Sequence, residues 1–305
     1  MTTMKIQKIM IACLILLVFG YASLQAKNAL VVIAHGSPSE KWNAPVLSLE
    51  NEMKDILKER NISGFDYVRV ALMEFTEPTI ASVIKDCENE GIDRIYAVPL
   101  FIAPSGHSEN DVPNILGIKY DAQMIDELKK EGTPLVNTHI PITLGPVLSY
   151  HSIIKEIILD RVKEMSTRAD EEALVLLAHG SPDYQFFWTK MITEAGHYIL
   201  GKTGIQYFDY AFVEVGQSFN EKALPAIIQA GEKKKKVLVQ GIYLSSGVKR
   251  MAEYAEEKIK YKGQDSLIAY SVPTNTVYGN YGLLPDAGKR ISYWVVDRAE
   301  EWLSR

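Results

Sequence analysis

A five-residue motif occurs twice in this chain, each time directly after a short apolar run. Residues 34–38 read Ala-His-Gly-Ser-Pro, and residues 178–182 repeat them. The run before each copy is continuously apolar rather than alternating, as expected for strands buried on both faces of a parallel sheet. Ligands of such sheets bind at the carboxyl ends of the strands, where His35 and His179 fall. The repeat therefore predicts a duplicated parallel fold with a candidate site histidine in each copy.

The order of predicted elements supports this duplication. Strand-like and helix-like segments alternate in both halves, which specifies a doubly wound parallel sheet. The sequence thus predicts an α/β chain of two similar lobes, each a parallel sheet flanked by helices. The first lobe is expected over residues 27–165 and the second over 172–305, with a polar boundary at 166–171.

Apolar periodicity and breaker residues place the individual elements. Predicted strands cover residues 30–33, 65–75, 94–98, 135–139, 173–178, 207–215, 237–243 and 266–270. Predicted helices cover residues 45–60, 121–130, 147–165, 186–200, 221–230, 251–260 and 287–302, with a further helix opening at Pro78 and a loop over 99–113.

The amino terminus has the pattern of a secretory signal peptide over residues 1–26. Two lysines precede an apolar stretch at 9–19, and small residues follow at 22–26. We expect cleavage near Ala26 and export to the periplasm, with an uncleaved membrane anchor as the alternative. The mature form is not expected to bind a membrane. It would retain Cys87 as its one cysteine, which excludes an intramolecular disulfide.

Charge limits the class of partner. The chain has 305 residues, a formal net charge of -5 and no arginine-rich block, so nucleic acid is not expected as a partner. The lysine run at 233–236 precedes an apolar segment. A solvated turn between a helix and a strand explains this run better than a phosphate-binding patch.

Aligning the halves separates shared positions from unique ones. Two polar pairs match: His35 with His179, and Glu74 with Glu214. The third correspondence fails, because His107 aligns with Val248. We therefore expect a site in the first lobe and a degenerate copy, with weak or absent metal binding, in the second.

Three first-lobe residues follow successive predicted strands: His35, Glu74 and His107. Two imidazoles and a carboxylate at one sheet edge suit a divalent first-row metal and leave a coordination position open. The alternative is structural, with His35 hydrogen-bonded at a strand end and Glu74 capping a helix. The repetition of both residues favours a site.

Several segments together resemble the class II chelatases, and among them the CbiX-type sirohydrochlorin cobaltochelatases. The similar motifs are Ala-His-Gly-Ser at 34–37, Met-Glu-Phe at 73–75 with Pro-Thr-Ile at 78–80, the histidine-bearing loop at 99–107, and Asp-Val-Pro at 111–113. The resemblance spans nearly all of the mature chain, since two-lobed members of that family are internal duplications.

The resemblance implies insertion of Co²⁺, or of Fe²⁺ or Ni²⁺, into sirohydrochlorin or a related tetrapyrrole held between the lobes, as in cobalamin biosynthesis. The metal is then a substrate, and no organic cofactor is implied. The family assigns metal binding to His35, Glu74 and His107, with the histidines also accepting protons from the macrocycle. An imidazole has an ordinary pKa of about 6.5, which suits proton acceptance near neutral pH. Which histidine accepts the proton stays open.

Five further residues are predicted to contact the tetrapyrrole. Trp42 and Tyr184 follow the two histidine motifs, and Ser105 lies in the third motif. Lys249 and Arg250 could neutralise carboxylates of the substrate. The competing interpretation of these two cations is ordinary exposed charge at the start of a helix.

Two other functions compete with metal insertion. Export separates the protein from cytoplasmic tetrapyrrole synthesis, so an exported protein that binds cobalt, haem or another tetrapyrrole without turnover is the main alternative. A hydrolase using Ser37 and His35 is the weaker one, because the Gly-x-Ser-x-Gly elbow is missing around Ser37.

Overall fold

The computed structural model describes residues 26–74, 76–148, 152–214, 219–261 and 272–305. The predicted strand at 266–270 and all but the last residue of the predicted leader lie outside the described residues. Among the residues that are described, no helix is long and apolar enough to cross a membrane.

The first half of the chain forms a parallel four-stranded sheet. Its strands are β1 (Asn28–Ala34), β2 (Tyr67–Leu72), β3 (Arg94–Pro99) and β4 (Ile142–Leu144). Its helices are α1 (Glu40–Leu47), α2 (Leu49–Glu59), α3 (Ile80–Asn89), α4 (Val112–Ile115), α5 (Ala122–Lys130) and α6 (Ile153–Met165). The strand order across the sheet is β2-β1-β3-β4.

The second half repeats this architecture. Its strands are β5 (Glu172–Ala178), β6 (Tyr207–Phe212), β7 (Lys236–Ile242) and β8 (Thr276–Tyr278). Its helices are α7 (Gln185–Thr203), α8 (Leu224–Lys233), α9 (Val248–Tyr261) and α10 (Arg290–Leu303). The order β6-β5-β7-β8 is that of the first sheet, and every pairing is parallel. The predicted class, two similar α/β lobes, is confirmed.

The continuous apolar character of β1 has the expected physical cause. Leu30 and Val32 face one cluster of buried side chains, and Val31 and Ile33 face another on the opposite side of the sheet. Both faces are closed to water, so every position along the strand gains from an apolar side chain.

The halves exchange their last helices. Helix α6 of the first half packs against α7 and β7 of the second, while α10 of the second half packs against α2 and β3 of the first. One buried cluster therefore includes side chains from the strands and helices of both halves, among them Leu30, Leu174, Trp188 and Trp294. Because both halves contribute side chains to this shared core, the core fixes the position of one sheet relative to the other.

Two local predictions in the first half are wrong. The strand predicted over 135–139 is absent, and the fourth strand is β4. The Val136 amide donates to the Ile115 carbonyl oxygen at 2.9 Å, and its side chain packs against a buried cluster, so helix packing explains its apolar character. The loop predicted over 99–113 contains a π-helical turn, His107–Asp111, that continues into α4.

The lysine run has the predicted structural role. Helix α8 ends at Lys233 and β7 begins at Lys236, so the run spans a helix-to-strand connection. Lys235 pairs with Glu171, and Lys236 pairs with Glu172, each at 3.0 Å.

Candidate metal and substrate site

The three predicted metal ligands follow neighbouring strands. His35 directly follows β1, Glu74 lies just beyond β2, and His107 begins the π-helical turn after β3. Strand β1 lies between β2 and β3, and all three are parallel, so their carboxyl ends meet at one edge of the sheet. The topology thus brings together side chains that are far apart in sequence.

The ligand atoms of His35, Glu74 and His107 all lie within 4.8 Å of one another. The two imidazole centroids are 4.6 Å apart, with an interplanar angle of 77°. Two ligands that bind one ion at about 2.1 Å each are at most about 4.2 Å apart, so sub-ångström adjustment closes the cluster on a cation. This donor set suits a first-row divalent metal with an open position.

Backbone pairing beyond the strands fixes His35 relative to Glu74. The Met73 amide donates to the Ala34 carbonyl at 2.8 Å, and the Glu74 amide donates to the His35 carbonyl at 3.0 Å. Gly36 turns away with φ +89°, and a Cβ there would collide with the Glu74 carbonyl oxygen. Glycine in the repeated motif is therefore required by both backbone conformation and space.

His35 would bind a metal through Nε2. Its Nδ1 lies 2.9 Å from the Gly36 carbonyl oxygen, which can only accept a hydrogen bond, so Nδ1 carries the proton. Burial is the main cause that lowers the pKa of His35, and it favours the neutral ring that a metal needs.

His107 is oriented by a carboxylate one helical turn away. Its Nδ1 lies 2.6 Å from Asp111 Oδ2, which leaves Nε2 for a metal. Burial lowers the pKa of His107, but the hydrogen bond and charge of Asp111 outweigh it and raise the pKa overall. Sequence reasoning assigned Asp111 no role. The four-residue spacing from His107 was the signal, since such residues are neighbours on a helix.

A cavity of about 490 Å³ lies beside this cluster, between the two halves. Both Ala-His-Gly-Ser-Pro turns contribute to its wall. Among its lining residues are His35, Ser37, Trp42, Phe101, Ser105, His107, Asp111, His179, Ser181, Trp188, Glu214, Tyr243 and Ser246. Its volume lies within the range of small-molecule sites, about 300–1,000 Å³.

The second half supplies two of the three corresponding groups. His179 and Glu214 line the cavity, whereas Val248 is completely buried at the start of α9. Among the described residues, His35, Glu74 and His107 form the single group of three or more that could hold a metal ion. Weak or absent metal binding by this second copy stays a prediction.

The structure separates the predicted substrate contacts into two groups. Trp42 and Ser105 line the cavity. Tyr184 packs against the shared core, and Lys249 and Arg250 lie exposed in the first turn of α9, all three outside the lining.

The cavity wall also includes aromatic residues that the sequence did not single out as substrate contacts. Phe101 and Tyr243 both line the cavity. Trp188 is buried and donates from Nε1 to the Pro104 carbonyl oxygen at 2.9 Å, across the boundary between the halves. No sequence signal distinguishes Trp188 from an ordinary core residue of α7.

Comparisons with known proteins agree on one family. The sequence profile of the CbiX family matches residues 29–165. The sirohydrochlorin cobaltochelatase of Methanococcus maripaludis is 41% identical over 91 residues, 30% of this chain and 59% of the relative. That of Methanopyrus kandleri is 30% identical over 143 residues, 45% of this chain and 95% of the relative. The chain spans 59%, 59% and 62% of the length of three methanogen relatives that it matches.

Solved structures extend the similarity to both halves. The cobalt complex of the sirohydrochlorin chelatase SirB from Bacillus subtilis subspecies spizizenii aligns with a TM-score of 0.56 and 16% identity, over 90% of this chain and 94% of SirB. SirB from Bacillus subtilis with Fe³⁺ aligns with a TM-score of 0.58 and 18% identity, over 90% and 95%. These matches establish the two-lobed chelatase fold. The M. kandleri relative, 95% of which is covered, shows that the chain belongs to the CbiX family, as the family profile also indicates.

Proposed function

We propose that this protein inserts a divalent cation into a tetrapyrrole, with Co²⁺ and sirohydrochlorin as the preferred pair. The observation that carries the proposal is the cluster of His35, Glu74 and His107 beside a cavity lined by aromatic and polar side chains, which suit a flat macrocycle with polar substituents. The names of the M. maripaludis and M. kandleri relatives support cobalt and sirohydrochlorin. SirB structures with cobalt and with Fe³⁺ support iron as a second metal, and the donor chemistry suits Fe²⁺ and Ni²⁺ as well as Co²⁺.

The proposed reaction exchanges one cation for two protons. Nε2 of His35, Nε2 of His107 and the Glu74 carboxylate hold the incoming ion, while the macrocycle loses its two pyrrole protons. No electrons are transferred, so no organic cofactor is needed. The aromatic side chains of Trp42 and Phe101 would pack against the flat face of the macrocycle, and the Ser105 hydroxyl could form a hydrogen bond with it. Lys249 and Arg250, outside the cavity lining, remain candidate partners for peripheral carboxylates of the substrate.

The test is an insertion assay with purified protein, sirohydrochlorin and Co²⁺, followed by the absorbance change of the tetrapyrrole. We expect His107→Ala to abolish the rate above the protein-free control. His139→Ala is the matched control, because His139 is exposed and lies outside the cavity lining. Parallel reactions with Fe²⁺ and Ni²⁺ rank the metals.

Binding without turnover is the competing function that the same assay tests. Tight association of tetrapyrrole or Co²⁺ with no rate above the protein-free control would replace the chelatase proposal with a binding protein.

We also propose that residues 1–26 direct export and are removed, so that the protein acts in the periplasm. The pattern of lysines, apolar stretch and small residues supports this proposal. Mass spectrometry of the protein from the periplasmic fraction should find an amino terminus near Lys27. An intact terminus in the membrane fraction would support the uncleaved anchor instead.

A further inference from the structure

The second half places two polar groups on the shared cavity, and its described residues include no group of three that could hold a metal ion. His179 and Glu214 occupy the positions of His35 and Glu74, but Val248 occupies the position of His107 and is completely buried. Loss of the third ligand removes a reason to keep the other two for metal binding. A function other than metal binding in the same cavity would explain why His179 and Glu214 are both present there.

The first-half imidazoles cannot accept protons while they hold the cation. Their Nδ1 atoms carry protons donated to the Gly36 carbonyl and to Asp111, so each ring offers a lone pair only at Nε2. A bound cation occupies those lone pairs, and metal and proton compete for the same nitrogen. Groups outside the metal cluster can accept the pyrrole protons while these nitrogens still hold the cation.

His179 has the tautomer of a proton acceptor. Its Nδ1 lies 2.8 Å from the Gly180 carbonyl oxygen and must carry the hydrogen, so Nε2 of the neutral ring bears the lone pair. Gly180 adopts φ +77°, as Gly36 adopts φ +89°, so the repeated turn holds both rings by the same local bond.

Glu214 stands on a fixed backbone and reaches solvent. The preceding residue, Val213, donates its amide to the Ala178 carbonyl at 2.7 Å and accepts the Tyr243 hydroxyl at 2.7 Å. Val213 and Tyr243 are buried, whereas Glu214 itself is exposed. A carboxylate held in this way can take a proton on the cavity wall and release it to water.

We propose that His179 and Glu214 accept the two pyrrole protons while the first-half cluster delivers the cation. The inference rests on the proposed chelatase function. His179 Nε2 takes one proton and becomes an imidazolium, and the Glu214 carboxylate takes the other and becomes a carboxylic acid. The cation bonds to the pyrrole nitrogens that lost these protons, and both protein groups then return their protons to water, so charge and atoms balance.

The experiment separates metal binding from proton removal. His179→Asn keeps an N–H that can bond the Gly180 carbonyl but removes the base, and Glu214→Gln removes the carboxylate. His197→Asn is the control, because His197 is exposed on α7 and lies outside the cavity lining. Calorimetry measures Co²⁺ affinity, and the absorbance assay gives kcat and KM across pH.

We expect His179→Asn to lower kcat about a hundredfold, with the Co²⁺ dissociation constant within about twofold of the wild-type value. Added imidazole should restore part of kcat in His179→Ala, and Glu214→Gln should lower kcat about tenfold. An unchanged kcat in His179→Asn, or a loss of Co²⁺ affinity equal to that of His107→Ala, would overturn the inference. Failure of the chelatase proposal is seen separately, because the wild-type protein itself would then form no product.

Discussion

The two halves share a scaffold and differ at the turn after the third strand. Both sheets have the same strand order, and both histidine turns use a glycine with positive φ. After β3, the chain forms a π-helical turn in which His107 is half-buried and bonded to Asp111. After β7, the corresponding Val248 enters the core at the start of α9. A duplicated fold can thus keep its architecture while a single connection decides which copy has a set of three candidate metal ligands.

The halves also differ at the opposite ends of their first strands. In the first half, Asn28 accepts from Arg94 at 3.0 Å. In the second, Glu172 is completely buried and pairs with Lys236 at 3.0 Å. The strand register places both pairs at corresponding positions. The neutral acceptor Asn28 of the first half thus corresponds to a buried carboxylate in the second, so protonation of Glu172 in acid should weaken a pairing that has no titratable acceptor in the first half.

The largest effect is expected from making the first half resemble the second. His107→Val should reduce Co²⁺ affinity by at least about a hundredfold, because a three-ligand cluster loses one imidazole. Calorimetry on the variant and on the His139→Val control measures the change. Retention of wild-type affinity in His107→Val would show that the metal binds elsewhere.

The reverse exchange should damage folding without creating a second site. Val248→His places an imidazole at a fully buried apolar position beside Gly241 and Tyr243. We expect the free energy of unfolding to fall by about 3 kcal/mol, measured by urea denaturation. Calorimetry should still find one Co²⁺ per chain, and a stoichiometry of two would contradict this account of the asymmetry.

The hydrogen bond between His107 and Asp111 is a second difference between the halves, because the side chain of Val248 can form no such bond. Asp111→Asn should weaken Co²⁺ binding about 10- to 100-fold, the usual cost of removing a carboxylate that orients a ligating histidine. Asn110→Ala, at the neighbouring position, is the control. Equal affinities of Asp111→Asn and wild type would remove Asp111 from the metal site.

The buried Glu172 of the second half predicts a pH dependence of stability. Burial opposes its ionisation, but hydrogen bonds from Ser166, Thr167, Arg168 and Lys236 outweigh this effect and lower the pKa of Glu172 to about 2. A lowered pKa in the folded state stabilises the protein above the unfolded value, 4.5, and this stabilisation is lost as pH falls toward 2.

Glu172→Gln should therefore reduce the free energy of unfolding by about 2 kcal/mol at neutral pH, and the difference from wild type should shrink in acid. Glu171→Gln is the control, because its ion pairs lie at the surface and should contribute less than about 1 kcal/mol. Denaturation curves from pH 7 to pH 3 measure both. A difference that stays constant over this range would exclude the ionisation of Glu172 as its cause.

The smallest expected effect concerns the contact between the halves. Trp188→Phe removes the hydrogen bond to the Pro104 carbonyl and leaves this buried acceptor without that donor. Pro104 lies in the same loop as His107, so the loss should weaken Co²⁺ binding about three- to tenfold by displacing His107. Trp294→Phe, in the same core but outside the cavity lining, should lower stability without this change. Equal Co²⁺ affinities in both variants would confine Trp188 to a packing role.

Local pattern was sufficient for most elements and for the selection of the candidate ligands. Continuous apolar runs identified β1 and β5, because the side chains on both faces of these strands are buried. The repeated motif and its aligned partners selected His35, Glu74 and His107. The same reasoning placed a strand at 135–139, where apolar side chains pack against helices instead. A short apolar segment has the same composition in either setting, so periodicity could not separate them.

The sequence by itself determined the duplicated α/β architecture, the strand-end position of both histidine turns and the loss of His107 from the second copy. These features depend on contacts between near neighbours in the chain and on the rule that parallel strands end at a common edge. Only the tertiary structure decided that α6 and α10 exchange halves, that Trp188 contacts the His107 loop, and that His179 and Glu214 face the same cavity as the metal ligands. Those relations join residues from different halves of the chain, and their energies depend on how the two sheets pack rather than on any local spacing.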